Sequence, residues 1–309
     1  MTQPRHVAPG KTYFISRRTT RRHFIFRPDE DGEMQNAFWF CLGVTALEFG
    51  ILVHSATLMS THLHLVLTDP RGVLPDFLRE FHRLLANTTK CHRGWPEEVL
   101  SADNTSVVEL LDAHAIVDEC GYTIANPVAA GAVRHAHEWP GATVAASEIG
   151  VRIVVAHRPT VYFRADNPRW PERVQLPITM PRQVIAELGS AEAGRNAVAQ
   201  AVRRHEEAAW AHARAHGRGF GTARRATRTP VTSRASSWED FGSRNPTFAA
   251  RGNRETARLA VRALRGFRAA YREALALWKC GVQDVVFPLG TWLMRVLHHA
   301  GCEPAPAPT

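Results

Sequence analysis

Two histidines stand one residue apart in Leu58-Met59-Ser60-Thr61-His62-Leu63-His64-Leu65-Val66-Leu67. The run around them is aliphatic enough for a buried strand, and side chains on a strand alternate between faces. His62 and His64 therefore point one way, while Leu63, Leu65 and Leu67 point the other way, toward a core. Two imidazoles held so on a rigid strand can reach one divalent cation. The same pair also suits two ordinary half-buried histidines, and an isolated His-x-His does not separate the two. Tyr122 and Asn126 lie four residues apart in a stretch that reads as helical, one turn from each other. A phenol, with a pKa of about 10, is a poor nucleophile at neutral pH. It can attack a phosphodiester from which a metal withdraws charge, and the carbonyl oxygen of Asn126 could serve as a third ligand. Spacing by itself does not distinguish such a nucleophile from a packing tyrosine.

The elements that must position these groups are legible in outline. Residues 11–16 read as a strand, 17–22 as a basic turn and 23–27 as a second short extended piece. Helical spacing of apolar residues follows over 33–49, with Gly50 placed to stop the helix. Residues 51–59 form the next strand, the histidine strand comes after it, and 74–91 form a second amphipathic helix. A third helix is expected over 107–126, with Pro127 ending it and opening a short helix over 128–133. This order predicts an α+β sandwich with helices on a mainly antiparallel sheet.

After residue 140 the character changes. Strands are expected at 151–155 and 160–163, and one long helix from 182 to 216. Residues 217–234 read as a mobile basic linker, and 255–280 as another helix. The expected division is a domain over 8–140 and a basic, mostly helical extension of unknown role over 141–309.

The formal net charge is +9, and such a balance favours phosphate-rich partners through counterion release. A basic pI alone predicts little, so the location of the arginines matters more. Arg17, Arg18, Arg21 and Arg22 would line a phosphate path or cap a solvated hairpin tip. Arg258, Arg262 and Arg265 belong to a stripe beside the apolar face of the last long helix. That stripe is either a solvated face or a phosphate contact, and its near lack of acids favours the second. Five cysteines, none at metal-ligand spacing, fit a chain with reduced thiols. No apolar run reaches membrane-spanning length and residues 1–6 have no signal core, so a cytoplasmic protein is expected. His135 and His137, a second His-x-His, read as surface residues.

Met59-Ser60-Thr61-His62-Leu63-His64-Leu65 resembles the motif Met-Ser-Asn-His-x-His-Leu, and residues 122–133 resemble Tyr-Ile-x-x-Asn-Pro-Val-Arg-Ala-Gly-Leu-Val. Both motifs belong to the HUH single-tyrosine transposases of the REP-associated type. They occur here in the same order, and the resemblance covers roughly residues 13–140. It implies a ferredoxin-like α+β sandwich in which His62, His64 and Asn126 bind Mg²⁺ or Mn²⁺. It also implies that Tyr122 attacks single-stranded DNA to leave a 5′-phosphotyrosine link and a free 3′-hydroxyl. The implied partner is hairpin-bearing single-stranded DNA, bound by a monomer or homodimer. A non-catalytic DNA-binding protein derived from such a transposase is the alternative. Three departures stand out. Thr61 replaces the usual Asn, Ala129 stands where Arg is frequent, and residues 93–101 lack the Gly-x-x-Trp-x-x-Arg-Phe pattern of many members.

Overall fold

A computed structural model of the protein describes residues 4–102, 105–236, 246–251 and 254–304. Its first half runs β1 (Lys11–Arg18), α1 (Glu33–Phe49), β2 (Leu52–Leu58), β3 (His62–Asp69), α2 (Leu74–Arg93) and β4 (Ser106–Leu110). In the sheet β3 lies between β2 and β1, and β4 flanks β1 on its other edge, with all three pairings antiparallel. A βαββαβ chain in this order is a ferredoxin-like sandwich. Helix α3 (Ala113–Ala129) follows, then a two-stranded antiparallel hairpin of β5 (Ile153–His157) and β6 (Arg173–Pro177). The remaining elements are α4 (Arg182–Leu188), α5 (Ala191–Ala215), α6 (Ala223–Arg228), β7 (Phe248–Ala249), α7 (Arg254–Lys279) and α8 (Leu293–His298). Strand β7 adds to the sheet beside β4, in parallel.

The strand register settles the two faces. Phe14 pairs with Val66, Ser16 with His64 and Arg18 with His62, so these residues share one face. Helix α3 covers that face, with the Tyr122 ring 5.9 Å from that of Phe14. Leu63, Leu65, Leu67 and Ile15 turn to the other face and are fully buried. Helices α1 and α2 close that side, where Phe38, Phe77 and Phe81 pack ring against ring. The buried Asp69 carboxylate at the end of β3 accepts hydrogen bonds from the backbone N–H groups of Arg71, Gly72 and Leu74, which fixes the entry to α2.

Several sequence expectations are corrected. Residues 107–126 are not one helix. The β-branched pair Val107-Val108 is taken by the open edge of β1, opposite Ile15 and Phe14. The helix begins only after Asp112, whose side chain accepts from Ala115 N–H at 2.7 Å. Pro127 does not stop that helix, because the one backbone bond it forfeits falls in the last turn. No separate helix covers 128–133, and the chain turns at Gly131, φ +67°. Residues 160–163 form no strand, since Tyr162 is left-handed at φ +69°, and β6 pairs with β5 instead. Nor is 23–27 extended; only His23 bridges, to Arg234. The helix expected over 182–216 breaks at Gly189, φ +86°, and restarts with Ser190 as N-cap.

Residues 217–234 are not a loose linker. Gly221 N–H donates to the Gly131 carbonyl at 2.8 Å, and Phe24 N–H donates to that of Ser233 at 2.9 Å. Arg228 pairs with Glu30 at 2.8 Å, and Arg27 donates to the Thr227 carbonyl. One buried core runs from Tyr13 to Ala226. A second, small core lies between the far half of α7 and the chain's end, around Phe287 and Met294. No helix among the described residues is long and apolar enough to cross a membrane.

Candidate active site

Strand β3 and helix α3 bring the two motif groups together. The rings of His62 and His64 converge at 4.7 Å between centroids and 77° between planes. His62 Nε2 lies 2.9 Å from Asn126 Oδ1, and its Nδ1 lies 3.0 Å from the Thr61 hydroxyl. The His64 ring stacks on Phe14 at 5.1 Å and meets the Tyr122 ring edge-on at 5.4 Å. Tyr122 and Asn126 reach this face together because α3 carries them one turn apart. Of the other tyrosines, Tyr13 lies on the opposite sheet face beside Leu67, Tyr162 accepts from Arg83, and Tyr271 packs against Phe267.

His64 is 4% exposed, and neither of its ring nitrogens has a hydrogen-bond partner among the described residues. A buried polar group without a partner costs on the order of 1–3 kcal/mol, a cost that a ligand to this ring would offset. Burial first, and the charges of His62 and Arg18 second, hold this imidazole well below the usual histidine range. It is therefore neutral at physiological pH, the form that binds metals. No cluster of three His, Cys, Asp or Glu side chains among the described residues could hold a metal ion. A cation on this face would thus need the Asn126 amide oxygen beside the two imidazoles.

Sequence reasoning missed the residues that back the tyrosine. His205, on α5, meets the Tyr122 ring edge-on at 5.7 Å, and its Nε2 lies 3.3 Å from Asp118, one turn before Tyr122 on α3. Arg251 pairs with the same carboxylate at 2.9 Å. These contacts, His205 first and opposed by burial, hold Asp118 below the usual carboxylate range. Nothing in the sequence near Tyr122 signals a histidine more than eighty positions later; only the packing of α5 on α3 supplies it.

The arginines singled out from sequence are dispersed. Arg17 turns to the α1–α2 side and donates to the Ser101 carbonyl at 2.7 Å, whereas Arg18 sits on the histidine face and is exposed. Arg21 is exposed, 3.8 Å from Glu97, and Arg22 is half-buried, both left-handed in a 3₁₀ turn. They do not form one path. Arg258, Arg262 and Arg265 are exposed on α7, whose inner side packs on the second core.

No family model matches the sequence, and no curated protein matches it. Among solved structures, the chain is similar to a REP-associated tyrosine transposase bound to a REP hairpin. That likeness has 15% identity, covers 46% of this chain and 81% of the other, and gives a TM-score of 0.38. It is also similar to a structure from Deinococcus radiodurans R1 described as a candidate transposase, at 21% identity over 35% and 85% of the two chains, with a TM-score of 0.28.

Proposed function

We propose that the chain is a metal-dependent single-stranded DNA nickase and strand transferase of the HUH single-tyrosine type, acting in transposition. The observation that carries this reading is His64, a buried neutral imidazole with two unpartnered nitrogens, beside both His62 and the Tyr122 ring. The lone-pair nitrogen of this neutral ring fits a cation, and His62, His64 and Asn126 are the residues that would hold Mg²⁺ or Mn²⁺. Bound there, the ion would withdraw charge from the scissile phosphate and steady the leaving oxygen.

The chain's own groups supply the rest. Tyr122 Oη gives up its proton and attacks phosphorus; the bond to the 3′ oxygen breaks, and that oxygen leaves as a hydroxyl on taking up a proton. The product is a 5′-phosphotyrosine ester, whose attack by a 3′-hydroxyl on another strand reverses the step. The Thr61 hydroxyl both donates and accepts. Nε2 of His62 faces the acceptor Asn126 Oδ1 and so carries the ring proton here; with a cation bound at Nε2 the proton would sit on Nδ1, where the Thr61 hydroxyl can accept it. Arg18, exposed at the end of β1, and Arg21, exposed in the turn after it, are proposed phosphate contacts, together with the half-buried Arg22; Arg17 turns to the opposite face. Hairpin-bearing single-stranded DNA is the proposed substrate.

The test is incubation with labelled hairpin single-stranded DNA and Mn²⁺, followed by a denaturing gel. The wild type should carry a covalent adduct. Tyr122→Phe should bind DNA and carry none, and an adduct on that variant would remove Tyr122 from the mechanism. His64→Ala should lose the adduct while keeping its fold. A second reading, a DNA-binding protein without catalysis, is favoured by the coverage of Tyr122 by His205. It predicts wild-type binding with no adduct under any divalent ion.

A further inference from the structure

Beyond the end of α3 lies a cleft of about 710 Å³ that the chemistry above does not use. Its walls include Trp210 from α5 and Phe220 from the segment after it, and its rim carries Arg134, Arg214 and Arg218. Two half-buried aromatic rings thus stand among three exposed guanidinium groups. Trp210 is held in place, since its indole N–H donates to the Arg134 carbonyl at 2.9 Å and the His135 ring meets it edge-on at 5.3 Å. Gly221 ties the Phe220 segment to the turn at Gly131, so both rings rest on the frame that carries Tyr122. The acid in the lining, Glu138, is already committed, because its carboxylate accepts from the backbone N–H groups of Arg134 and His135 at 3.0 Å each. Among the described residues, Arg134, Arg214 and Arg218 make no ion pair. The cleft therefore offers flat apolar surfaces within and spare positive charge at its mouth.

That combination suits one unpaired nucleotide. Every base has a π face that stacks on an aromatic ring, and its phosphate stays at the opening, where guanidinium groups reach it. Duplex DNA keeps its bases stacked on each other and has none to offer. The position suits the strand that Tyr122 would cut. Tyr122 and His205 sit at one level of the α3–α5 pair, and Trp210 and Arg214 lie five and nine residues further along α5. At about 1.5 Å per residue that is on the order of 10 Å, roughly three stacked nucleotides. We propose that this cleft, built largely by the segment after residue 200, is a seat for an unpaired nucleotide flanking the cleavage position. The proposal rests on the nickase reading and adds to it a subsite formed by α5 and the segment that follows.

The test measures binding alone, by fluorescence anisotropy, in the full chain. The probes are a labelled twelve-thymidine strand and a strand of twelve abasic units, equal in phosphates and lacking bases. The wild type should bind the thymidine strand more tightly. Trp210→Ala should weaken thymidine binding roughly five- to hundredfold, the range of one base–aromatic stack, and should leave abasic binding within about twofold. Trp210→Phe, which keeps a stacking face, should recover most of the loss and guard against a folding artefact. Arg214→Ala with Arg218→Ala should weaken both strands alike and make the salt dependence shallower. The proposal is overturned if wild type binds the two strands equally. It is also overturned if Trp210→Ala weakens both equally, or if polyglutamate displaces the thymidine strand as well as thymidine itself does, which would assign the cleft to acidic peptide. The adduct assay on the same preparation reports separately on Tyr122, so loss of one reading leaves the other standing or falling on its own result.

Discussion

Helices α5 and α7 are of nearly equal length, 25 and 26 residues, and both are rich in alanine and arginine, yet they do different work. Helix α5 lies along α3 so closely that a Cβ on Gly121 would stand 2.5 Å from the Ala201 Cβ and 2.9 Å from its carbonyl carbon. Small residues at the crossing let the backbones approach, and longer side chains then reach across: His205 to Tyr122 and Asp118, and Glu206 to the Ala136 N–H at 2.8 Å. Helix α7 buries only Phe267 and Ala274, and leaves Leu259 and Leu277 more than half exposed. Its inner side serves the second core, tied to the body by the His6–Phe267 ring contact and by Trp292, which donates to Asp76 at 2.8 Å. Close approach, more than length or composition, makes a helix part of the site.

The largest expected effect tests that approach directly. Ala201→Leu would drive a branched side chain into the α3 backbone at Gly121, where rotamer changes give no relief. The expected loss is about 3 kcal/mol, on the order of 10 °C in Tm, together with loss of adduct formation. Ala263→Leu, on the exposed side of α7, should be within about 0.5 kcal/mol of wild type. Equal losses at the two positions, in thermal melts followed by circular dichroism, would dissolve the contrast.

Acid should act on the body through its buried histidines. His54, on β2, is fully buried between the Thr179 carbonyl and the Thr68 hydroxyl. Burial pushes its imidazole down to about 4, opposed by the bond to Thr179. The unfolded chain protonates near about 6.5, so the stability held above that pH is lost as pH falls from there toward 4. Between pH 7 and pH 5 the share of His54 in the loss is about 2 kcal/mol, beside those of the buried His64 and His82, and His54→Gln should reduce the slope by that share. A further loss is expected below pH 4 from Asp29. Burial alone would raise its carboxyl, but bonds from His92 and Arg93 outweigh this and hold it at about 2. This group stabilises above its unfolded pKa and fails as pH falls through its folded one. A pH-independent Tm between 7 and 5 would show that His54 is not kept neutral by the fold.

The smallest expected change in stability is on α7. Reversing charge at Arg258, Arg262 and Arg265 should alter stability by less than about 0.5 kcal/mol, while DNA affinity falls and its salt dependence becomes shallower. Unchanged affinity and slope would make the stripe a solvated face.

The local sequence specified much of the strand and helix framework. The period of two around Leu63 put both histidines on one face, as the register with Ser16 and Arg18 has them. The helices at 33–49 and 74–91 lie within a residue or two of the observed ends. Strand β4 escaped because Val107-Val108-Glu109-Leu110 carries no strict alternation; its state depends on an edge of β1, nearly a hundred residues earlier. The 217–234 segment looked loose because its composition is polar, and its order comes from carbonyls on Gly131 and elsewhere that no local pattern announces.

By itself, then, the sequence determined which groups could do chemistry and which secondary structure carries them, because periodicity and turn chemistry are properties of neighbouring residues. It determined the His62–His64 face, the Tyr122–Asn126 helical turn and the basic balance of the chain. The tertiary structure decided which of these groups meet. His62 faces Asn126 across 2.9 Å, and His64 is buried with no hydrogen-bond partner among the described residues, because α3 crosses β3 where it does. Asp118 and His205 join Tyr122, and Trp210 joins Arg134, because Gly121 and Ala201 let two backbones touch. Those contacts depend on how elements distant in sequence pack, and packing is set by shape at the interface, which short-range pattern does not encode.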